Sequence, residues 1–307
     1  MKISLKSKVL FLIIFFACFS GQVSYADEPA LEIHPVINAR ELVVVEEPFK
    51  IEEFERVLLY IAVTDIFELY IPYEDPMKTD GIFGQGERIN IAVENNLIDA
   101  WNNVQAKYPE YFELLRNLNY ETYKISSKKA VLKIMFNSDH FDNDEITEMK
   151  HKLLKKTEDT MSDLIAAKSL TKEMNDKEKA KVLYEWIAVN NTYDTDYKDN
   201  VISFNGFGLI TYNTGVCSAY TSVYNLMLKM AGIKEVEGII GTAGLGGNMG
   251  THIWTRANLD GEILHIDSTW GDPVPDIEGY CDFSYFAVDE GYLSRHHHYW
   301  DKEKYKR

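Results

Sequence analysis

Basic residues are scarce in this 307-residue chain: 32 lysines and arginines face 48 aspartates and glutamates, a formal charge of -16. That surplus of acid argues against nucleic acid and acidic membranes as partners, because like charges repel. Cysteine is scarcer still, with three residues, too few for a framework of disulfides. Beyond the first twenty residues no long apolar run occurs, so no integral membrane span is expected once that segment is removed. Phosphate and metal motifs are missing too. The glycine-rich stretch 241–250 lacks the Lys-Ser/Thr of a P-loop and is not followed by a helix. The acidic stretch around Asp142 and Asp144 lacks the glycine and remaining ligands of a calcium loop. His296-His297-His298 are adjacent, a spacing that rarely closes a metal site unaided, and they read as structural or exposed histidines. No cofactor and no metal is called for.

Apolar residues make up 46% of the chain, enough for a globular protein with a buried core. Residues 1–26 have the build of a secretory signal peptide. Lys2, Lys6 and Lys8 form a basic start, Val9 to Phe19 an apolar run, and Ser24-Tyr25-Ala26 a small-residue cleavage site. Cleavage after Ala26 removes three lysines and no acid, taking the charge from -16 to -19. The mature protein is then expected to be secreted or at the cell surface, with Cys217 and Cys281 as its two thiols. A Cys217–Cys281 disulfide stays open at this stage, although a domain of this size needs no staple.

Residues 27–144 read as an N-terminal α+β region of unknown role. It has an extended lead-in to about residue 50 with a strand candidate at Leu42–Val45. An apolar stretch from Phe54 to Ile71 follows, where periodicity does not separate helix from strand. A loop at 72–90 precedes a helix from about Ile89, which Pro109 interrupts, and then a hairpin of Tyr120–Ile125 with Ala130–Phe136. Residues 145–307 form the second domain. Amphipathic helices are expected at 145–168 and 176–191, the second capped by Asp176.

The chemistry concentrates between Gly215 and Pro273. From Cys217 to Met230, apolar residues at 219, 223, 226, 227 and 230 fit one helical face, and Gly232 stands where a helix ends. Cys217 therefore opens a helix, where free N–H groups and the helix dipole stabilise a thiolate. Asp260-Gly261 is a two-residue hairpin signal joining Thr251–Leu259 to Glu262–Asp267. With that turn Trp254 falls opposite Asp267 and His252 opposite Thr269. His252 and Asp267 become diagonal neighbours on one face, about 7–8 Å apart at the backbone. A slip of one residue would put them on opposite faces. His265 shares that face and is a competing base. Gly241 to Gly250 reads as a flexible lid.

These segments resemble the transglutaminase-like superfamily: Gly215-Val216-Cys217 with Tyr220, Thr251-His252-Ile253-Trp254, and Asp267-Ser268-Thr269-Trp270-Gly271-Asp272-Pro273. The resemblance covers roughly 145–300. It implies an α+β, papain-like fold with the cysteine helix packed on an antiparallel sheet, preceded by the smaller α+β region. It also implies Cys217 as nucleophile, His252 as base and Asp267 as orienter. Tyr220, Trp254 and Trp270 are candidates for the substrate cleft, and Tyr212 and Asn213 for a second oxyanion donor. The expected partner is a protein or peptide substrate whose amide carbonyl is attacked. Water as acceptor gives protease or amidase chemistry, and an amine gives cross-linking. The competing class is a non-catalytic binding or structural module that keeps the fold.

Overall fold

The computed structural model describes residues 50–64, 66–74, 91–112, 117–126, 129–197, 201–245 and 248–306. The signal segment 1–26, the lead-in to residue 49 and most of the loop expected at 72–90 lie outside the described residues. The ambiguous stretch from Phe54 to Ile71 is both helix and strand: α1 (Ile51–Val63) precedes β1 (Glu68–Glu74). Helices α2 (Ile91–Lys107) and α3 (Pro109–Phe112) follow, divided where Pro109 lacks the N–H to continue the ladder. Strands β2 (Asn117–Ser126) and β3 (Lys129–Asn137) form the expected hairpin, and β1 adds to its other edge in the order β1-β3-β2.

Helix α4 (Asn143–Ala166) shows what Asp142 is for. Its side chain accepts from the Glu145 N–H while Glu145 reaches back, a capping box rather than a cation loop. Helix α5 (Asp176–Asn190) starts where expected, but with Asn175 and not Asp176 as its cap. The Asp176 and Lys177 N–H groups instead donate to the Asp260 carboxylate of the distant hairpin turn, at 2.9 and 3.1 Å.

Two short strands, β4 (Thr192–Tyr193) and β5 (Thr214–Gly215), pair in parallel on either side of α6 (Gly206–Tyr212) and deliver the chain to α7 (Cys217–Met230). Helix α7 was expected to bury one face, but it is surrounded. Residues 219–228 and Met230 are all buried, because α3, α4, α5 and α6 pack around it and β7 closes the remaining side. Two of its polar residues find partners on β7. Thr221 donates to the Ile253 carbonyl at 3.0 Å, and Asn225 accepts from Thr255 at 2.6 Å. A residue that loses water needs such a partner.

The second sheet is antiparallel, in the order β8-β7-β6-β9, from β6 (Glu237–Leu245), β7 (Asn248–Leu259), β8 (Glu262–Ile266) and β9 (His298–Tyr299). Between β8 and β9 the chain makes a long excursion through α8 (Glu290–Arg295). One apolar core runs from Phe54 of α1 through Ile146 of α4 to Ile266 of β8, so the parts before and after residue 144 share it. At its edge Lys229 of α7 donates to Glu110 of α3 and to the Lys107 carbonyl. Among the described residues no helix is long and apolar enough to cross a membrane.

Candidate active site

Two strands and one helix bring the site together. The Asp260-Gly261 turn has both residues in the left-handed region, with φ of 55° and 92°, which matches the twist of a tight hairpin. It sets the pairs Leu259↔Glu262 through Thr255↔Ile266, the register that aims Trp254 and Asp267 at each other. Strand β8 ends one residue before Asp267, whose N–H turns away to the Tyr285 carbonyl at 3.0 Å. The fully buried Asp267 carboxylate lies 2.7 Å, through Oδ2, from His252 Nε2. Its Oδ1 accepts the Thr269 and Trp270 N–H groups at 3.1 and 3.2 Å.

Cys217 is the first residue of α7 and is half-buried, with a free thiol, as is Cys281. The helix cap, Val216, supplies no side-chain acceptor, so the first N–H groups of α7 stay unpaired by the helix itself. The Val216 N–H is held by the Ser203 carbonyl at 2.9 Å. Gly215 fits because a Cβ there would meet the Ala219 Cβ at 2.8 Å and the Ser203 carbonyl at 3.2 Å. Cys217 lies near enough to His252 to act on the charge of its ring. Asp267 occupies Nε2, so Nδ1 is the ring nitrogen left for the thiol.

Electrostatics follow from this geometry. Burial disfavours the charged form of His252, but the Asp267 carboxylate and its hydrogen bond, with Cys217, raise it from 6.5 to about 10. Burial would likewise raise Asp267, but His252 and His298 together hold it well below the usual carboxylate range. His265 is the contrasting case. Burial, then Arg256, Lys302 and His298, lower it to about 3. It therefore stays neutral, and its Nδ1 accepts the Trp254 indole N–H at 3.0 Å. The competing base is engaged in packing.

The three cleft candidates separate. Trp254 and Tyr220 are fully buried and so present no surface to a substrate, contrary to the expectation from their position. Trp254 supports the histidines from below, its ring 6.0 Å from that of His252. The Tyr220 hydroxyl donates to the Asp272 carboxylate. Trp270 keeps partial exposure and lies 6.0 Å from the His252 ring. Burial, opposed by the Tyr220 hydrogen bond, raises Asp272 to about 6. The oxyanion candidates Tyr212 and Asn213 are both exposed, as the last residue of α6 and its cap. The lid reading is replaced by structure: 241–245 and 248–250 belong to β6 and β7, paired as far as Leu245↔Asn248, while Gly246 and Gly247 lie outside the described residues.

Two neighbours were not assigned to the site from the sequence. Tyr193 of β4 is raised to about 12 by burial and by Cys217 beside it. Its strand pairing with Gly215 is the only cue, and that pairing is nonlocal. The other is His298, buried, with Nε2 2.9 Å from the same Asp267 Oδ2 that His252 uses. His252, Asp267 and His298 thus place three donor atoms within 4.8 Å of one another, the spacing of a metal-ligand set. Both imidazoles, however, direct Nε2 at one carboxylate oxygen, at 2.7 and 2.9 Å. A ring nitrogen that donates to that oxygen has no lone pair left to offer a cation.

Comparison with known proteins bears on the family. Residues 165–268 match the family model described as the transglutaminase-like superfamily, a span that includes Cys217, His252 and Asp267. No curated protein sequence matches the chain. Among solved structures it is similar to one described as a TGase, at 12% identity and a TM-score of 0.32, covering 49% of this chain and 44% of that one. It is also similar to a candidate cysteine protease from Cytophaga hutchinsonii, at 14% identity and a TM-score of 0.31, covering 56% and 70%. A candidate protease from Parabacteroides distasonis gives 14% identity and a TM-score of 0.28, covering 48% and 35%. The match thus spans less than half the length of the first of these structures. The α+β architecture, with a cysteine helix against an antiparallel sheet, is that of a papain-like core. Residues 165–268 thus resemble the transglutaminase-like superfamily.

Proposed function

We propose that this protein is an exported thiol enzyme that transfers acyl groups from protein or peptide amides through a thioester on Cys217. The observation that carries the reading is the contact from Asp267 Oδ2 to His252 Nε2 at 2.7 Å, with Cys217 near enough to act on the charge of that ring. His252, raised to about 10, is held cationic beside the nucleophile; it takes the proton from Cys217 or already carries it as an imidazolium. Export rests on the composition of residues 1–26.

In the first half-reaction Cys217 Sγ attacks the amide carbon, and the carbonyl electrons move to oxygen. The unpaired N–H groups at the start of α7 stabilise that oxyanion. As the intermediate collapses, the C–N bond breaks and His252 gives its proton to the departing amine, leaving the thioester. In the second half-reaction an acceptor attacks the thioester, His252 takes its proton, and Sγ leaves as thiolate. Water as acceptor gives hydrolysis, and a primary amine gives cross-linking. Asp267 keeps the ring oriented and stabilises its charge throughout.

Incubation with a glutamine-rich protein and a labelled primary amine tests this. Label incorporation identifies cross-linking, and cleavage or ammonia release without label identifies hydrolysis. The absence of all three, with a Cys217 no more reactive toward iodoacetamide at pH 6 than a free thiol, would sink the enzyme reading.

A further inference from the structure

The mechanism gives no role to His298, a fully buried side chain at the site, while the Asp267 carboxylate needs something to hold its direction. Asp267 lies just past the end of β8, where the ladder no longer fixes the chain, and its side chain can turn about two bonds. The Tyr285 carbonyl takes its backbone N–H at 3.0 Å. The Thr269 and Trp270 N–H groups that reach Oδ1 come from its own turn and move with it. Oδ2 is the oxygen that faces His252. It also meets His298 Nε2 at 2.9 Å, and that contact comes from β9, at the opposite edge of the sheet from β8.

His298 is itself tightly placed. Ring centroids of Trp270, Trp254, Tyr285 and His252 lie 4.5, 5.1, 5.7 and 5.8 Å from that of His298, and its Nδ1 is 3.0 Å from the His296 carbonyl. A ring packed on this many sides has little room to move. The preceding residue, His297, has φ of 64°, a left-handed conformation that a non-glycine residue keeps only when its surroundings enforce it. Strand β9 then pairs with β6 through Thr242↔Tyr299 and Ala243↔His298. Gly241 makes that approach possible. A Cβ there would collide with the Tyr299 carbonyl and come within 2.8 Å of the Trp254 ring, so a larger residue would push β9 off the sheet.

We propose that His298 is a positioning residue: from the far edge of the sheet it holds Asp267 Oδ2 in the direction of His252, and Gly241 admits the strand that carries it. Its effect on Cys217 rests on the thiol-enzyme reading, and its hold on Asp267 does not.

The first test needs no activity. Crystal structures are compared for the wild type and for a folded variant that lacks Nε2, His298→Asn or His298→Phe. The freed carboxylate should turn, and the distance from Asp267 Oδ2 to His252 Nε2 should open from 2.7 Å to beyond about 3.5 Å. An unchanged distance overturns the proposal. Failure of both variants to fold marks a structural residue and overturns it too.

The second test is the rate at which iodoacetamide alkylates Cys217, read by mass spectrometry on the peptide that contains it. A ring that only fills space and a ring that holds Asp267 rank the substitutions differently. The amide nitrogen of His298→Gln falls near the place of Nε2, that of His298→Asn falls near Nδ1, and His298→Phe keeps the ring without either nitrogen. Positioning predicts a rate near wild type for Gln and a fall of about 10- to 100-fold for Asn and Phe. The opposite order, with Phe nearest wild type, overturns the proposal. In an Asp267→Asn background, His298→Phe should change the rate by less than about twofold, because its effect passes through that carboxylate. An equal fall in both backgrounds overturns the proposal. A wild-type Cys217 no faster than a free thiol, beside a carboxylate that turns in the variant, overturns the enzyme reading and leaves the positioning role standing. A reactive Cys217 whose rate ignores all three substitutions does the reverse.

Discussion

The Tyr220 hydroxyl donates to the Asp272 carboxylate. Tyr220 lies one turn past Cys217 on α7, and Asp272 lies five residues past Asp267. A buried hydrogen bond therefore ties the helix that carries Cys217 to the segment that carries Asp267. Tyr220→Phe should leave Asp272 buried without its hydroxyl donor. A loss of about 1–3 kcal/mol is expected in urea unfolding, together with slower alkylation of Cys217. Unchanged stability would show that the bond is dispensable.

Asp267 has four hydrogen-bond donors around it and no exposure. Asp267→Asn removes the charge that keeps His252 protonated while preserving shape. Acyl-transfer activity should fall by on the order of 10³- to 10⁴-fold, and the rate advantage of Cys217 over a free thiol at pH 6 should vanish. Stopped-flow alkylation measures the second effect without a known substrate.

The stability held by the His252–Asp267 pair should depend on pH with a defined sign. His252 is raised from 6.5 to about 10, so its contribution is complete below about pH 6.5 and is lost as pH rises through 10. Asp267 is lowered from 3.8, so its contribution is present above that value and is lost only on acidification below it. Urea unfolding of the wild type and His252→Gln should differ most between pH 5 and 6.5, with the gap closing toward pH 10. A gap that grows with pH would contradict the assignment.

Gly215→Ala would place a Cβ 2.8 Å from the Ala219 Cβ with backbone close by. Overpacking of that kind costs about 1–3 kcal/mol. Here it also shifts the start of α7, so calorimetry and Cys217 alkylation should both register the change. A glycine that tolerated alanine in both assays would mean the helix start is not held as closely as its contacts imply.

Lys229 and Glu110 form an ion pair of 2.7 Å, with 11% and 0% of their side chains exposed. Burial lowers Lys229 and raises Glu110, each opposed by the other. Lys229→Met strands a buried carboxylate and should cost about 3–5 kcal/mol. Adding Glu110→Leu should recover most of it, as a double-mutant cycle by chemical denaturation would show.

Local chemistry made much of the site legible in the sequence. The Asp260-Gly261 turn fixed a two-residue hairpin, and period-2 alternation then fixed the face on which His252 and Asp267 meet. Cys217 at a helix start followed from the glycine before it and the 3.6-residue spacing after it. Other features stayed hidden because several elements create them at once. The apolar stripe of α7 gave no sign that its polar side is buried as well, since Thr221 and Asn225 find partners only on β7. Trp254 and Tyr220 read as cleft residues by proximity to the site. Whether an aromatic ring faces solvent depends on what packs over it.

The residues from Gly215 to Pro273 by themselves determined the identities and relative register of Cys217, His252 and Asp267, because turn type and strand period act over a few residues. Only the tertiary structure decided that His298 completes the surroundings of Asp267. It arrives 31 residues later in the chain, on a two-residue strand paired with β6. No local preference encodes such a contact, because its free energy comes from closing the sheet edge and meeting a buried carboxylate.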